Sequence, residues 1–150
     1  MTLPDSILFD ATSMIKMHTA SRRRLLEVTL AKFNVFVPVI SIYKYLVSKA
    51  YINRKIENEF KVLKEIYSVL PLTDDIVIHG AKIEAKLLKK GLRLEVDDIL
   101  TGTFAIKHRM LLVTADPERY KALTEFGLDL MDLDRFLKEV ERMVEEELKA

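Results

Sequence analysis

The sequence predicts a single α/β domain with a central, mostly parallel sheet flanked by helices. Short apolar runs typical of strands alternate along the chain with longer amphipathic runs typical of helices. No Gly/Ser-rich linker, low-complexity tract or internal repeat interrupts this alternation, so residues 1–150 are interpreted as one domain. A chain of 150 residues that is 49% apolar is long enough to bury one core.

The first half of the chain is predicted to contain two strands and three helices. Pro38 lacks a backbone N–H, so the second strand should end or bend there. Ser41 and Asn53 are expected to cap the second and third helices, which would form a helical hairpin. The expected elements are a strand at 7–9, a turn at 10–13, a helix at 22–32, a strand at 35–40, a helix at 41–50 and a helix at 53–68.

The second half has clearer helix boundaries. Thr73 supplies a capping hydroxyl, and Gly91 follows the two lysines that close the same helix. Asp132 or Asp134 should cap a long C-terminal helix at about 134–149, which carries a wide apolar stripe. The remaining expected elements are strands at 70–72, at 111–113 and within 126–131, a helix at 98–108 and a short helix from Asp116-Pro117 to about 124.

Composition excludes several kinds of site. The chain has no Cys, which rules out disulfides, thiolate metal sites and Cys nucleophiles. The histidines, His18, His79 and His108, show no paired metal-ligand spacing. The sequence has neither an apolar run near the ~20 residues of a membrane span nor a signal-peptide pattern, so we expect a cytoplasmic protein with no membrane contact. A net charge of +1 means that RNA binding would have to come from local patches.

Three aspartates stand at the edges of apolar segments that are expected to be buried. Asp10 follows the first strand, Asp98 opens a helix, and Asp116 follows the strand at 111–113. A carboxylate at such an edge is costly unless a cation pairs with it, which favours a shared Mg²⁺ or Mn²⁺ ion acting on a phosphodiester. The spacing alone is equally compatible with three helix caps or surface acids.

Two stretches of the chain resemble the PIN-domain nucleases, and the resemblance covers essentially the whole sequence. The first is the apolar strand that ends in Asp10 and is followed by Thr12 and Ser13. The second runs from Asp98-Ile99-Leu100-Thr101-Gly102-Thr103-Phe104-Ala105 to Leu112-Val113-Thr114-Ala115-Asp116. The family includes toxins of the VapC type and ribosomal-RNA processing factors. The resemblance implies that Asp10, Asp98 and Asp116 are catalytic and bind Mg²⁺ or Mn²⁺, with RNA as the substrate.

The resemblance also implies supporting roles around those acids. Thr12, Ser13 and Thr114 would orient the carboxylates, although each hydroxyl could equally be an ordinary turn or cap residue. Asp97 is adjacent to Asp98, and the spacing to Ala105 favours Asp98 as the ligand and Asp97 as an acid at the helix N-terminus.

The sequence departs from the family pattern at Lys44. The stretch from Pro38 to Leu46 resembles the family's second motif, in which a Glu stands one turn into a helix, and Lys44 occupies that position. An ammonium ~4 Å from a divalent ion, at an effective dielectric constant of ~20, would repel it by roughly 8 kcal/mol. An inward Lys44 would pair with an aspartate, whereas an outward Lys44 would leave the aspartates able to hold an ion.

Basic clusters near helix ends are candidate RNA contacts. Arg22 and Arg23 belong to one cluster, and Lys107 and His108 belong to another. Each cluster could also be a solvated helix end.

The sequence is therefore compatible with two functions: a metal-dependent endoribonuclease of PIN type, as the toxin of a pair with a small antitoxin, or a degenerate PIN module that binds RNA or protein without cutting. The apolar stripes of the helices at 53–68 and 134–149 predict a homodimer or higher oligomer.

Overall fold

A parallel sheet forms the centre of the fold. In the computed structural model, which describes residues 2–150, the strands are β1 (Ser6–Phe9), β2 (Asn34–Pro38), β3 (Ser68–Leu70), β4 (Leu111–Thr114) and β5 (Asp129–Asp132). They lie in the order β3-β2-β1-β4-β5, and every neighbouring pair is parallel. The predicted central sheet is confirmed, and within the described residues it is parallel throughout.

Helices connect the strands and cover both faces of the sheet. They are α1 (Ala11–Met17), α2 (Arg23–Lys32), α3 (Val39–Tyr51), α4 (Ile56–Ile66), α5 (Asp74–Lys89), α6 (Val96–His108) and α7 (Leu133–Lys149), with 3₁₀ segments at Ala20–Arg22 and Pro117–Phe126. Over residues 2–150, no helix combines the length and the apolar character that crossing a bilayer requires.

The strands contribute side chains alternately to two cores, as the two-residue period of a strand requires. Ile7 and Phe9 of β1 point into the first core with Phe136 of α7 and residues of α1, α3 and α4. Leu8 points into the second core, which contains residues of α5, α6 and the 3₁₀ segment Pro117–Phe126. Because both faces are covered, β1 and β4 have near-continuous apolar sequences.

The order in which the strands are added to the sheet changes direction between β1 and β4. From β1, the order runs through β2 to β3 on one side, whereas β4 and β5 lie on the other side. Connections that leave the carboxyl ends of β1 and β4 therefore diverge, and they open a crevice at that edge. Asp10 follows β1 directly, and Asp116 follows β4 by two residues.

The structure corrects the prediction around the first two strands. Residues 10–13 were expected to form a turn, but Asp10 caps α1, and its carboxylate accepts a hydrogen bond from the backbone N–H of Ser13. The predicted end of β2 at Pro38 is confirmed, whereas the outer bound at residue 40 is wrong. Pro38 itself precedes the first turn of α3, so the expected cap at Ser41 is also wrong. Pro38 has no N–H to donate and a fixed φ, which suits the residue that ends a strand and precedes a helix.

Other boundaries were also placed wrongly. Asn53 does not cap α4: it has a φ of 62° in the turn before Lys55, which is the actual N-cap. β3 lies at Ser68–Leu70 rather than at 70–72, α6 begins at Val96, and Pro117–Phe126 is 3₁₀ rather than α-helical. The cap predicted at Thr73 is confirmed, and of the two acids predicted as alternatives for the last helix, Asp132 is the cap; both side chains accept backbone hydrogen bonds.

Candidate active site

A small cleft lies at the edge of the sheet where β1 and β4 end, between the first turns of α1, α3 and α6. Three carboxylates line it, from Asp10, Asp97 and Asp98, and two cations line it, from Lys44 and Arg119. Three acids against two cations leave a formal charge of −1. The acidic character predicted for this edge is therefore present, but the chain's own cations neutralise most of it.

Asp10 is the most completely hydrogen-bonded carboxylate of the cleft. It is 2% exposed, and its Oδ1 accepts hydrogen bonds from the Thr12 hydroxyl at 2.6 Å and from the Ser13 N–H at 2.9 Å. Its Oδ2 accepts from the hydroxyls of Thr114 and Tyr120, each at 2.7 Å. A carboxylate has about four lone-pair positions. Asp10 therefore joins β1, α1, β4 and the 3₁₀ segment at one point, with its acceptor positions filled.

The hydroxyl residues expected beside Asp10 divide into two roles. Thr12 and Thr114 contact the carboxylate directly, and their own Oγ1 atoms lie 3.2 Å apart. The Ser13 hydroxyl instead donates to the Val113 carbonyl at 2.7 Å, and only the Ser13 backbone N–H reaches Asp10. Ser13 thus fixes α1 against β4, and the two threonines hold the carboxylate.

Asp98 is buried in the first turn of α6 and faces Arg119. The Arg119 Nε lies 3.3 Å from Oδ2 of Asp98, whose side chain is 6% exposed. Burial is the main cause that raises the pKa of Asp98 to about 6; Arg119 and Lys44 lower it, and the neighbouring Asp97 and Asp10 raise it. The same burial makes its ionised form costly, so Asp98 holds a proton more readily than an ordinary aspartate.

Lys44 points into the cleft and forms an ion pair with Asp97. The ammonium donates to Oδ2 of Asp97, which joins α3 to the first turn of α6. Of the two orientations open from the sequence, the structure therefore has the inward one. Asp97 also lies at the positive end of the α6 helix dipole, as expected for an acid at a helix N-terminus.

Asp116 lies apart from the other acids. Its side chain is exposed and does not line the cleft, although its charge is close enough to raise the pKa of Arg119 together with the charges of Asp98 and Asp97. The Asp116 backbone N–H donates to the Thr114 hydroxyl at 3.1 Å. The structure thus gathers Asp10, Asp97 and Asp98 around one cleft and places Asp116 outside its lining.

The acids do not fit a divalent ion in this arrangement. Their oxygens are the ligand type that Mg²⁺ and Mn²⁺ prefer. The lone pairs of Asp10 are filled by four donors, however, and Asp98 and Asp97 are paired with Arg119 and Lys44. Among residues 2–150, no group of three or more acidic or histidine side chains is placed to hold a metal ion. An ion would require Lys44 or Arg119 to move first.

The basic residues predicted to bind RNA lie away from the cleft. Arg22 pairs with Asp134 at 3.7 Å, and Arg23 with Glu27 at 3.3 Å. Lys107 and His108 are at the opposite end of α6 from Asp98, which at 1.5 Å per residue is a separation of roughly 14 Å. Lys107 pairs with Asp75 at 3.2 Å, and the His108 ring stacks on Phe104. Their RNA contacts stay a prediction.

Sequence reasoning missed Arg119 and Tyr120 as cleft residues. Tyr120 is 2% exposed and its hydroxyl donates a hydrogen bond to Asp10. Its burial, and after it the charge and the hydrogen bond of Asp10, raise the pKa of Tyr120. Arg119 and Tyr120 are adjacent in the 3₁₀ segment three and four residues after Asp116. Their position in the sequence could have indicated this, because a helical turn that starts directly after β4 brings residues three and four positions beyond Asp116 back toward the sheet edge.

A larger cavity lies between α2 and α4 on the other side of α1. It is open to solvent and has a volume of about 570 Å³, with an apolar wall that includes Leu26, Leu30 and Val62 and a charged rim that includes Arg23 and Lys49. His18 also lines it and bonds through Nε2 to the Tyr67 hydroxyl at 2.6 Å. Nothing in the sequence had indicated this cavity, because its walls come from separate helices.

Comparison with known proteins finds relatives of this chain, one of which matches it at full length. The chain is 48% identical over 148 residues to a VapC ribonuclease of Pyrococcus furiosus, which covers 99% of both proteins. It is 28% identical over 78 residues to ribonuclease VapC1 of Methanocaldococcus jannaschii, which covers 52% of this chain and 57% of that protein. The chain matches none of the known models of protein families.

Solved structures with the same fold come from toxin-antitoxin complexes. VapBC2 of Rickettsia felis, bound to a promoter DNA fragment, superposes with a TM-score of 0.70 at 16% identity and covers 85% of this chain and 98% of its own. VapBC-1 of nontypeable Haemophilus influenzae gives 0.69 at 18% identity, over 86% and 98%. At these identities, the likeness establishes the fold.

Proposed function

Because the chain belongs to the VapC ribonuclease family, we propose that it cleaves RNA in the cytoplasm as the toxin of a toxin-antitoxin pair. The observation that carries this proposal is the cleft that holds Asp10, Asp97 and Asp98 at the edge where β1 and β4 end. Open parallel sheets bind ligands at such an edge. The proposed substrate is the phosphodiester backbone of single-stranded RNA.

The residues of the cleft suit hydrolysis of a phosphodiester. In the arrangement without a bound ion, Asp98, whose pKa is raised to about 6, is suited to take the proton from an attacking water. In that step the water oxygen bonds to phosphorus while the bond from phosphorus to the leaving ribose oxygen breaks, and that oxygen keeps the electron pair and takes a proton from solvent. Asp10 keeps the edge rigid through its four hydrogen bonds, and the cations beside the acids reduce the repulsion that an anionic RNA would meet.

An RNA cleavage assay tests this function. Purified protein should cut a single-stranded RNA, and Asp98→Asn should reduce the rate by at least roughly a hundredfold because the proton acceptor is lost. Glu118→Gln is a matched control, since Glu118 lies next to Arg119 in the chain with a side chain 80% exposed. Full cleavage by Asp98→Asn would reject the role of this cleft.

The metal requirement is a separate question that the same assay can answer. We predict a dependence on Mg²⁺ or Mn²⁺, with Asp10, Asp98 and Asp116 as the ligands after Lys44 or Arg119 and the Asp116 side chain have moved from the positions they hold in this structure. Cleavage should then stop in EDTA and return with added Mn²⁺. Cleavage that persists in EDTA would show that the cleft works without a divalent ion.

A degenerate module that binds RNA or protein without cutting is the second candidate, and the Lys44–Asp97 ion pair favours it. If Lys44 blocks an ion, Lys44→Glu should tighten Mn²⁺ binding by roughly tenfold for each ~1.4 kcal/mol of repulsion removed. Calorimetric titration of both proteins with Mn²⁺ measures this change. Equal affinities would remove the electrostatic argument for the second candidate.

We further propose that the antitoxin inserts an apolar segment into the cavity between α2 and α4. Its volume of about 570 Å³ and its apolar wall could take several side chains of such a segment. Val62→Glu would place a charge on that wall, so it should weaken the toxin-antitoxin complex at least tenfold. RNA cleavage by the free toxin should not change.

Val77→Glu is the matched control for this experiment. Val77 lies on α5, outside the cavity lining, and is 49% exposed, whereas Val62 is 51% exposed. Isothermal titration of both variants with the antitoxin separates the cavity from other apolar surface. The same affinity for both variants would argue against insertion into this cavity.

A further inference from the structure

The cations of the cleft stand closer to solvent than the acids they pair with. The side chain of Arg119 is 32% exposed, and that of its partner Asp98 is 6% exposed. The side chain of Lys44 is 37% exposed, and that of Asp97 is 21% exposed. A ligand that approaches the cleft therefore meets the ammonium and the guanidinium before it meets the carboxylates.

The cleft is too small to admit a phosphate group. Its volume is about 10 Å³, and a space of ~10–15 Å³ is what a single water needs. A backbone phosphate must consequently rest at the mouth, where Lys44 and Arg119 are exposed.

Both cations keep donors for such a ligand. Arg119 contacts Asp98 through Nε, and a guanidinium has about five N–H donors, so its terminal nitrogens can serve a phosphate. Lys44 uses one contact to Asp97 out of about three donors. The two residues come from α3 and from the 3₁₀ segment Pro117–Phe126, on separate walls of the cleft.

We propose that Lys44 and Arg119 form a clamp that binds the backbone phosphates of a single RNA strand at the mouth of the cleft. This inference rests on the proposed function for its substrate, and it assigns the phosphate contact to these two residues rather than to the basic clusters at the helix ends. Before RNA arrives the two cations are paired with Asp97 and Asp98, and RNA phosphates compete with these carboxylates for their donors. A lysine at the position of the family's acidic residue thereby gains a role in binding.

Fluorescence anisotropy with a fluorescein-labelled RNA twelve-mer in EDTA tests the clamp. Lys44→Gln and Arg119→Gln should each raise the Kd roughly tenfold and reduce the slope of log K against log salt by about 0.7, the value for one phosphate contact on a single strand. Arg119→Lys should recover much of the loss, because it restores the charge. Gel analysis after each titration confirms that the probe is intact.

Lys121→Gln is the matched control for charge alone. Lys121 is in the same 3₁₀ segment as Arg119, has a side chain 76% exposed and does not line the cleft, so its Kd should change less than twofold. Equal losses in Lys121→Gln and Arg119→Gln would overturn the clamp, because they would reveal only a general field effect. Unchanged binding in both clamp variants, or no binding of the probe by the natural protein, would also overturn it.

Asp97→Asn gives a test in the opposite direction. It releases Lys44, so RNA should bind more tightly, and the gain should vanish in the Asp97→Asn, Lys44→Gln double variant. A gain that persists in the double variant would contradict the proposal. These experiments measure binding, so they separate the two proposals. If the natural protein cleaves RNA but the variants bind it as well as the natural protein does, only the clamp is refuted. If the natural protein binds RNA through Lys44 and Arg119 but does not cleave it, only the nuclease activity is refuted.

Discussion

Burial shifts the pKa of one residue beside the large cavity and of one residue in the cleft. His18 lies against Tyr45 and Tyr67 beside the large cavity, and burial lowers its pKa to about 4, with a smaller contribution from Lys49. At the cleft, burial instead raises the pKa of Asp98. The two shifts have opposite signs because burial always disfavours the charged form, which is the protonated form of His and the deprotonated form of Asp.

The depressed pKa of His18 predicts a loss of stability in mild acid. The unfolded chain takes up a proton near pH 6.5 and the folded chain near pH 4, so the contribution is complete above pH 6.5 and is lost as the pH falls through that window. Between pH 7.5 and pH 5, the loss should be about 2 kcal/mol. Urea denaturation at both pH values measures it.

His18→Gln should show a smaller dependence on pH than the natural protein over the same range. His79→Gln is the control for the loss of a more exposed imidazole, since His79 is on α5 with a side chain 40% exposed. The same slope in His18→Gln and in the natural protein would contradict the assignment.

The raised pKa of Asp98 predicts a variant that is more stable but inactive. The folded chain holds this proton more tightly than the unfolded chain, so the stabilising contribution is present in acid and is lost as the pH rises through about 6. Asp98→Asn should therefore raise the Tm at pH 8 by roughly 2–4 °C and raise it less at pH 5. Calorimetry at both pH values compares the two gains, and a larger gain at pH 5 would count against the burial of a charged Asp98.

At the scale of elements, the 3₁₀ segment Pro117–Phe126 depends on one glycine of α6. A methyl group added at Gly102 would collide with Cδ1 of Leu123, which is fully buried. The small residue therefore lets α6 and the 3₁₀ segment approach closely, and this packing holds Arg119 and Tyr120 at the cleft. The sequence had shown the small residues after Asp98, but not the element that they contact.

Gly102→Ala should consequently destabilise the protein by roughly 1–3 kcal/mol through overpacking, although Ala favours a helix interior. In a Leu123→Val background the δ-methyl that the added group would contact is absent, so Gly102→Ala should lower the free energy of unfolding by less. Chemical denaturation of the four proteins in this double-mutant cycle measures the coupling. Equal costs in both backgrounds would show that Leu123 is not the constraint.

The boundaries that the sequence misplaced also belong to this scale. The sequence did not predict α1, which has only seven residues. Its first turn is fixed by the hydrogen bond from the Ser13 N–H to Asp10 and by the contact of Ser13 with β4, and these contacts do not require a periodic apolar pattern. The strand before α3 was extended past Pro38 because Val39 and Ile40 favour strands, although the tertiary packing places them in a helix.

At the scale of the whole molecule, the surface bears on assembly. The α7 stripe, which was one reason to expect an oligomer, packs into the first core through Leu133, Phe136, Leu137 and Val140. An exposed apolar row instead runs along α3 at Val39, Tyr43, Val47 and Tyr51, one residue in four. Residues at that spacing share one helix face. The homodimer stays a prediction, and α3 becomes its expected interface.

Val47→Glu should then convert a dimer to a monomer in sedimentation velocity at micromolar concentration, because it buries a charge in the interface. Val62→Glu on α4 is the control: the two side chains are 52% and 51% exposed in the single chain, so neither variant should impair folding. A natural protein that sediments as one chain would end the dimer prediction.

The sequence by itself determined the class of fold and the order of its strands, and it placed Asp10 and Asp98 near element ends. Period-two and helical patterns are local, and they predicted the parallel sheet, the caps at Thr73 and Asp132 and the placement of Asp10 and Asp98 at element ends. Tertiary structure alone decided that Lys44 turns inward to Asp97, that Arg119 reaches Asp98 and that Asp116 stays outside the cleft. The energy of a charged side chain is set by the groups that surround it after folding. Those groups come from residues far apart in the chain, so no local sequence pattern predicts the distances between them.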